Sequence, residues 1–139
     1  MAKIKSKPRL PKGRIKERVT EKEDANTLHP LFCFHYLETD KNFGLRCCEK
    51  DEKISFISKL YELSQLTWNQ IINTNRHKLG LEKVPYNIIN GKKPNDITED
   101  QTFIAIRFNS LAPMVGYRFE RTFHIIWLDP KMKLYNHGK

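Results

Sequence analysis

Two short stretches near the start of the chain alternate apolar and polar residues, which is the period of a β-strand. Within residues 29–37, Phe32, Phe34 and Tyr36 fall on one side of such a strand. Residues 43–48 repeat the alternation after a polar turn. We therefore expect the two stretches to pair as an N-terminal β-hairpin.

The next pattern has the period of an α-helix. From residue 54 to about residue 75, apolar side chains recur every three or four positions, and Asp51 precedes them as an N-cap residue. This spacing predicts one amphipathic helix of roughly six turns. The apolar stripe that should face the core consists of Ile57, Leu60, Tyr61, Trp68, Ile71 and Ile72.

The last third of the chain returns to the strand period. Residues 102–108, 114–119 and 122–128 are each rich in β-branched and aromatic side chains. The dipeptide at 120–121 is short enough to join the last two as a tight hairpin, and residues 133–135 predict a final short strand. These segments together predict an antiparallel β-meander.

The order of these patterns predicts an α+β fold, in which one long amphipathic helix covers one face of the sheet. A chain of 139 residues is the length of one domain. We expect residues 1–27 to form a basic, flexible arm and residues 28–139 to form a single α+β domain with the hairpin, the helix and the meander.

Charge is concentrated at the N-terminus. Residues 1–22 contain nine basic and two acidic residues, so they carry +7 of the formal net charge of +9. Mobile lysines and arginines bind nucleic acid by displacing counterions, and the alternative is a tail that only aids solubility. The predicted nucleic-acid-binding residues are Lys3, Lys5, Lys7, Arg9, Lys12, Arg14, Lys16 and Arg18.

The cysteines and the hydropathy of the chain predict a cytoplasmic protein. The three cysteines are an odd number, and the N-terminus lacks the apolar run of a secretory signal. No stretch approaches the roughly 18 apolar residues of a membrane span, so we expect no membrane partner. Cys33 and His35 could begin a zinc site, but the paired CxxC spacing is missing, and we expect no metal and no cofactor.

The strands of the meander carry the polar side chains most suited to chemistry. A tight turn at 120–121 places Tyr117 opposite His124. The same register places Arg118 opposite Phe123. If Tyr117 faces the helix, Arg118 faces the open side of the sheet, where a phosphate could approach. The candidate catalytic residues are Arg107, Arg118, His124, Tyr135 and His137.

These residues carry a resemblance to a known family. A helix followed by Arg107 in AIRF, Arg118 in GYRF and the final FHIIWLDPKMKLYNH is similar to the RelE/ParE toxin superfamily of bacterial toxin–antitoxin modules. The resemblance covers about residues 54–137. The basic arm and the hairpin at 29–48 depart from the family, whose typical member opens with one strand and then two helices.

The resemblance implies a metal-independent endoribonuclease that cleaves ribosome-bound mRNA, and it implies a cognate antitoxin protein as a second partner. A ribose 2′-hydroxyl would attack the adjacent phosphate, Arg107 and Arg118 would bind the phosphate, and the remaining candidates would transfer protons. Two alternatives stay open. One is a non-enzymatic nucleic-acid-binding or adaptor protein of a phage or mobile element, and the other is a gyrase-directed toxin of the ParE kind. Convergence of the candidate residues on one surface would favour the enzyme.

Overall fold

A computed structural model describes residues 23–74 and 81–136, and these residues form two helices and one five-stranded sheet. Three short 3-10 turns connect the regular elements. The predicted α+β class and the C-terminal meander are confirmed. In chain order the elements are β1 (Leu31–Cys33), α1 (Lys50–Ser64), α2 (Trp68–Asn73), β2 (Glu82–Pro85), β3 (Thr102–Asn109), β4 (Ala112–Phe119) and β5 (Thr122–Leu128).

The sheet has the strand order β1-β5-β4-β3-β2. The strands β2, β3, β4 and β5 pair antiparallel with their neighbours, whereas β1 pairs parallel with β5. Strand β2 was not predicted. It is short and ends at Pro85, and a proline in a sequence argues against a β-strand at that position. No helix of the described residues is long and apolar enough to cross a membrane.

The predicted N-terminal hairpin is wrong. Only residues 31–33 form a strand, and residues 45–47 form a 3-10 turn instead of a second strand. The connecting segment continues beyond β1 along the same edge of β5, where the Glu38 N–H donates to the Ile126 carbonyl (2.8 Å) and the Leu128 N–H donates to the Phe43 carbonyl (2.8 Å). The alternating segment thus pairs with a distant strand, and periodicity alone does not identify the partner of a strand.

The single long helix is also wrong, because the chain forms two helices that part after Ser64. Thr67 caps α2, accepting a hydrogen bond from the Gln70 N–H (3.2 Å) while the Gln70 side chain accepts one from the Thr67 N–H (2.9 Å). This capping box starts a new helix inside the predicted one. Helix α1 is capped by Glu49 and Glu52 in the same way, so Asp51 lies in the first turn and is not the N-cap.

The helices cover one face of the sheet, as predicted. The apolar residues of α1 that pack against this face are not all those of the predicted stripe. Ile106, Phe108 and the half-buried Ile104 lie on this face, in agreement with the predicted alternation of β3. Ile57, Tyr61 and Ile72 were predicted to face inward and are exposed. The helix residues buried here are Phe56, Leu60, Leu63, Trp68 and Ile71.

The opposite face of the sheet is covered by chain without helices or strands. The loop after β2 contributes Ile89 and Ile97, and the C-terminal segment contributes Leu134 and Tyr135. Residues 133–135 do not form the predicted last strand. From the sheet, the buried residues on this face are Val84, Phe103, Ala105, Val115, Ile126 and Trp127.

The folded domain begins before the predicted boundary at residue 28. Residues 25–27 form a 3-10 turn that is capped by Asp24, whose side chain accepts from the Asn26 N–H (3.0 Å). The Asn26 side chain accepts a hydrogen bond from Arg118 on β4. The last residues assigned to the arm are therefore part of the domain.

Candidate functional site

Arg118 lies on the helix-covered face, contrary to its predicted orientation. Its guanidinium carbon is 4.2 Å from the centre of the Trp68 ring, and its Nε donates to the Glu120 carbonyl (2.6 Å). Burial lowers the pKa of Arg118, while nearby Asp24 opposes that shift. The side chain holds together three parts of the domain, and Tyr117 faces the opposite side of the sheet.

Arg107 and Tyr135 lie near each other on the face that the helices leave uncovered. The Tyr135 hydroxyl donates to Glu82 Oε2 (2.8 Å). Burial raises the pKa of Tyr135, the hydrogen bond to Glu82 raises it further, and the nearby positive charge of Arg107 opposes both effects. Two of the five predicted catalytic residues are therefore close enough to interact electrostatically, and Glu82, which the sequence patterns did not single out, is hydrogen-bonded to one of them.

His124 occupies the predicted register, opposite Tyr117 in the β4–β5 pair. The two rings stack with centroids 4.6 Å apart and planes 8° from parallel. The Nδ1 atom of His124 is buried and has no hydrogen-bond partner among the described residues. Burial lowers the pKa of His124, and nearby His35 lowers it further. Both effects favour the neutral form of the imidazole.

The predicted catalytic residues do not converge within the described part of the chain. Arg107 pairs with Pro113 on β4, whereas His124 pairs with Tyr117. Those two β4 residues are four positions apart, which separates Arg107 and His124 by about 13 Å along the sheet. Arg118 points to the other face of the sheet.

The remaining predicted site residues lie outside the described residues. They are His137 and the arm residues Lys3, Lys5, Lys7, Arg9, Lys12, Arg14, Lys16 and Arg18.

The cysteines form neither a disulfide nor a metal site in the described residues. All three are free thiols, and no group of three histidine, cysteine or acidic side chains there is arranged to hold a metal ion. Cys33 lies beside His124 in the parallel β1–β5 pair. Burial raises the pKa of Cys48 to about 12, so this thiol stays protonated.

A cleft of about 420 Å³ lies at the end of β5 and is rich in basic side chains. Phe43 and the thiol-bearing residues Cys47 and Cys48 form its apolar part. Its charged lining residues are Lys41, Arg46, Glu49, Asp129, Lys131 and Lys133. We call it the basic cleft.

One wall of the basic cleft is a turn built around Asp129. The Asp129 carboxylate is buried and accepts hydrogen bonds from the Lys133 N–H (2.8 Å) and the Leu134 N–H (2.9 Å). The Met132 N–H donates to the Asp129 carbonyl (3.1 Å), and Met132 has a φ of 57°. This network fixes the backbone that presents the exposed side chains of Lys131 and Lys133.

The opposite wall is the segment that follows the edge of β5. Asp40 closes a turn by accepting from the backbone N–H groups of Asn42 (3.0 Å) and Phe43 (2.9 Å). Phe43 in turn is bonded to Leu128 of β5. Lys41 and Arg46 extend from this anchored segment and are exposed. The cleft is thus bounded by two turns whose backbones are both hydrogen-bonded to carboxylates.

Four cations face two carboxylates in the basic cleft, which leaves a formal charge of +2. The Glu49 side chain accepts a hydrogen bond from a backbone N–H of α1, and the Asp129 carboxylate accepts from its own turn. Both carboxylates therefore accept hydrogen bonds from backbone N–H groups. The net positive charge of the cleft makes it suited to binding an anion. Sequence reasoning missed this site, although two lysines that follow an Asp-Pro turn were a readable signal.

Comparison of the chain with protein-family models, with curated proteins and with solved structures finds no match. The resemblance to the RelE/ParE superfamily therefore stays a prediction.

Proposed function

We propose that this protein binds RNA without cleaving it, and that the basic cleft holds a phosphate of the RNA backbone. The observation that supports this proposal is the arrangement of Lys41, Arg46, Lys131 and Lys133 around one cleft. Lysine and arginine supply most of the affinity of proteins for nucleic-acid phosphates. The predicted basic arm would add contacts that do not depend on the RNA sequence.

The positions of the predicted catalytic residues favour binding over catalysis. A ribonuclease of the implied kind needs its acid, its base and its phosphate-binding cation around one reacting phosphate. Arg118 is instead engaged with Trp68 and Asn26, and His124 lies far along the sheet from Arg107. The predicted proton-transfer residues His124 and Tyr135 therefore do not line the basic cleft, which is the proposed phosphate site.

A second candidate function rests on Arg107, Tyr135 and Glu82. These three side chains combine a cation, a phenol and a carboxylate in one place. The endoribonuclease implied by the resemblance could act there, with Arg107 on the phosphate. It would have to proceed with a Tyr135 hydroxyl that is buried and bonded to Glu82, which makes this candidate the weaker of the two.

The test measures binding of a short, 3′-labelled single-stranded RNA by fluorescence anisotropy over a range of salt concentrations. Lys131→Glu should weaken binding by about ten-fold or more, since a repulsive charge replaces an attractive one. Lys83→Glu is the matched control, because Lys83 is also an exposed lysine and lies on β2, at the opposite edge of the sheet.

The outcomes separate the two candidates. RNA that stays intact in all incubations, with a loss of binding confined to Lys131→Glu, supports the binding function. Equal losses in the two variants would remove the basic cleft from the interface, and absence of binding by the wild-type chain would overturn the proposal. RNA cleavage that disappears in Arg107→Ala would establish the second candidate.

A further inference from the structure

The charge of the basic cleft exceeds that of an internal backbone phosphate. A phosphodiester carries one negative charge, whereas the formal charge of the cleft is +2. A phosphate monoester carries about −1.5 to −2 at neutral pH, because its second pKa is near 6. The cleft therefore matches a monoester in charge, and an internal phosphate would leave part of its positive charge uncompensated.

The size of the basic cleft also indicates that the ligand is the end of an RNA strand. Its volume of about 420 Å³ lies at the lower end of the range of pockets for small molecules and cofactors. A groove that tracks single-stranded nucleic acid typically spans several nucleotides. A site of this volume suits one terminal nucleotide with its phosphate.

The cations in the cleft have the chemistry that recognition of a monoester requires. Arg46 can present two parallel N–H groups to two phosphate oxygens, and the three lysines act as point charges around it. A monoester offers three terminal oxygens to such a set, while a diester offers two. The Asp129 turn holds the Lys131 and Lys133 backbone in place before any ligand arrives.

We infer that the basic cleft binds the 5′-terminal phosphate monoester of an RNA strand. This inference rests on the proposed RNA-binding function and adds to it the end of the strand as the recognised feature. The ligand class is a nucleotide 5′-monophosphate, which a strand end and a free mononucleotide both contain.

The experiment compares three probes against the full chain. They are a 3′-labelled RNA with a 5′-phosphate, the same RNA with a 5′-hydroxyl, and free adenosine 5′-monophosphate as a competitor. We expect the 5′-phosphate to tighten binding by about ten-fold or more, since at neutral pH it adds about 1.5 to 2 negative charges to a strand end that otherwise carries a neutral hydroxyl. The preference should shrink as pH falls below about 6, where the monoester takes up a proton.

Substitutions of Arg46 assign the preference to the basic cleft. Arg46→Ala should abolish the preference for the 5′-phosphate, and Arg46→Lys should restore it in part, because a lysine keeps the charge without the planar fork. Lys83→Ala should leave the preference intact. Since Arg46 and Lys83 are both exposed, thermal unfolding of these variants should match that of the wild type.

Each outcome decides a different part of the inference. Equal binding of the two RNAs, weakened equally by Arg46→Ala, would overturn recognition of the 5′ end while keeping RNA binding in the cleft. A preference for the 5′-phosphate that survives in Arg46→Ala would show that the 5′ end of the RNA binds elsewhere on the protein. If adenosine 5′-monophosphate competes as well as the phosphorylated RNA does, the ligand is a free mononucleotide, and the inference that the cleft binds an RNA strand is overturned. No binding of either RNA would overturn both proposals.

Discussion

The guanidinium of Arg118 lies over the ring of Trp68, with 4.2 Å between the guanidinium carbon and the ring centre. Trp68 itself donates from Nε1 to the Arg121 carbonyl (2.9 Å), in the turn that follows β4. The Nε of Arg121 donates to the His29 carbonyl (2.9 Å). Helix α2, the N-terminal segment and the β4–β5 turn are therefore tied together through two arginines and one tryptophan.

Arg118→Ala should destabilise the domain by about 2–3 kcal/mol. The substitution removes a cation–π contact worth about 0.5–2 kcal/mol and charged hydrogen bonds that contribute about 1.5–3 kcal/mol each, which are not additive. Urea denaturation followed by tryptophan fluorescence measures the free energy of unfolding. Arg46→Ala is the control, because that arginine is exposed in the basic cleft and should change stability by less than about 0.5 kcal/mol.

RNA binding gives an independent check on the role of Arg118. Under native conditions Arg118→Ala should bind RNA as the wild type does, because the side chain is not part of the basic cleft. An undiminished free energy of unfolding together with lost RNA binding or lost cleavage would contradict the structural role and return Arg118 to the functional site.

Trp68→Ala should destabilise the domain by about 3–5 kcal/mol, the usual cost of emptying a buried large aromatic site. Trp68 is 1% exposed and contacts Phe123 edge to face, with ring centroids 6.4 Å apart. Tyr61→Ala is the matched control, since Tyr61 is 69% exposed and its loss should cost less than about 1 kcal/mol. Similar losses of stability in the two variants would contradict the assignment of the core.

The pattern of apolar residues predicted what depends on local spacing. The faces of β3 and the pairing of Tyr117 with His124 follow from a period of two and a two-residue turn, and both are confirmed. Leu60, Trp68 and Ile71 of the predicted helix stripe are buried, whereas Ile57 and Tyr61 are exposed. The capping box at Thr67 divides the helix, so the phase of the pattern read across both halves was not that of α1. Tyr61 was placed in the core by that error.

Long-range pairing could not be predicted in the same way. Nothing in residues 31–33 specifies β5 as their neighbour. The alternation of β4 also does not say which of its two faces the helices cover. Tyr117 lies on the face without helices, so Arg118 lies on the other face, against Trp68. The basic cleft joins residues 41–49 to residues 129–133, which are distant in sequence. Local periodicity carries no information about which charged residues such a contact brings together.

Lowering the pH should destabilise the domain through His124. Burial lowers the pKa of its imidazole in the folded state, so the unfolded chain binds a proton first as pH falls. The stability that depends on neutral His124 is complete above the unfolded pKa of about 6.5 and is lost as pH falls towards the lower folded pKa. The side chains that face it are Tyr117, Tyr36 and His35.

His124→Phe tests this pH dependence, because phenylalanine keeps the ring stack and cannot take up a proton. The free energy of unfolding of the wild type should fall more steeply between about pH 7 and about pH 5.5 than that of the variant. Parallel profiles for the two proteins would show that His124 does not titrate differently in the folded and unfolded chains.

Deletion of residues 1–22 should weaken RNA binding and reduce its dependence on salt, while the domain stays folded. The segment carries +7 of the net charge of +9, and the slope of log affinity against log salt changes by about 0.7 for each phosphate contact with single-stranded nucleic acid. A variant that combines the deletion with Lys131→Glu tests whether the arm and the basic cleft bind RNA independently of each other. If the two groups of cations contact different phosphates, the losses in binding free energy should be additive. A deletion that leaves the salt slope unchanged would remove the arm from the interface and leave the basic cleft as the anion site that remains to be tested.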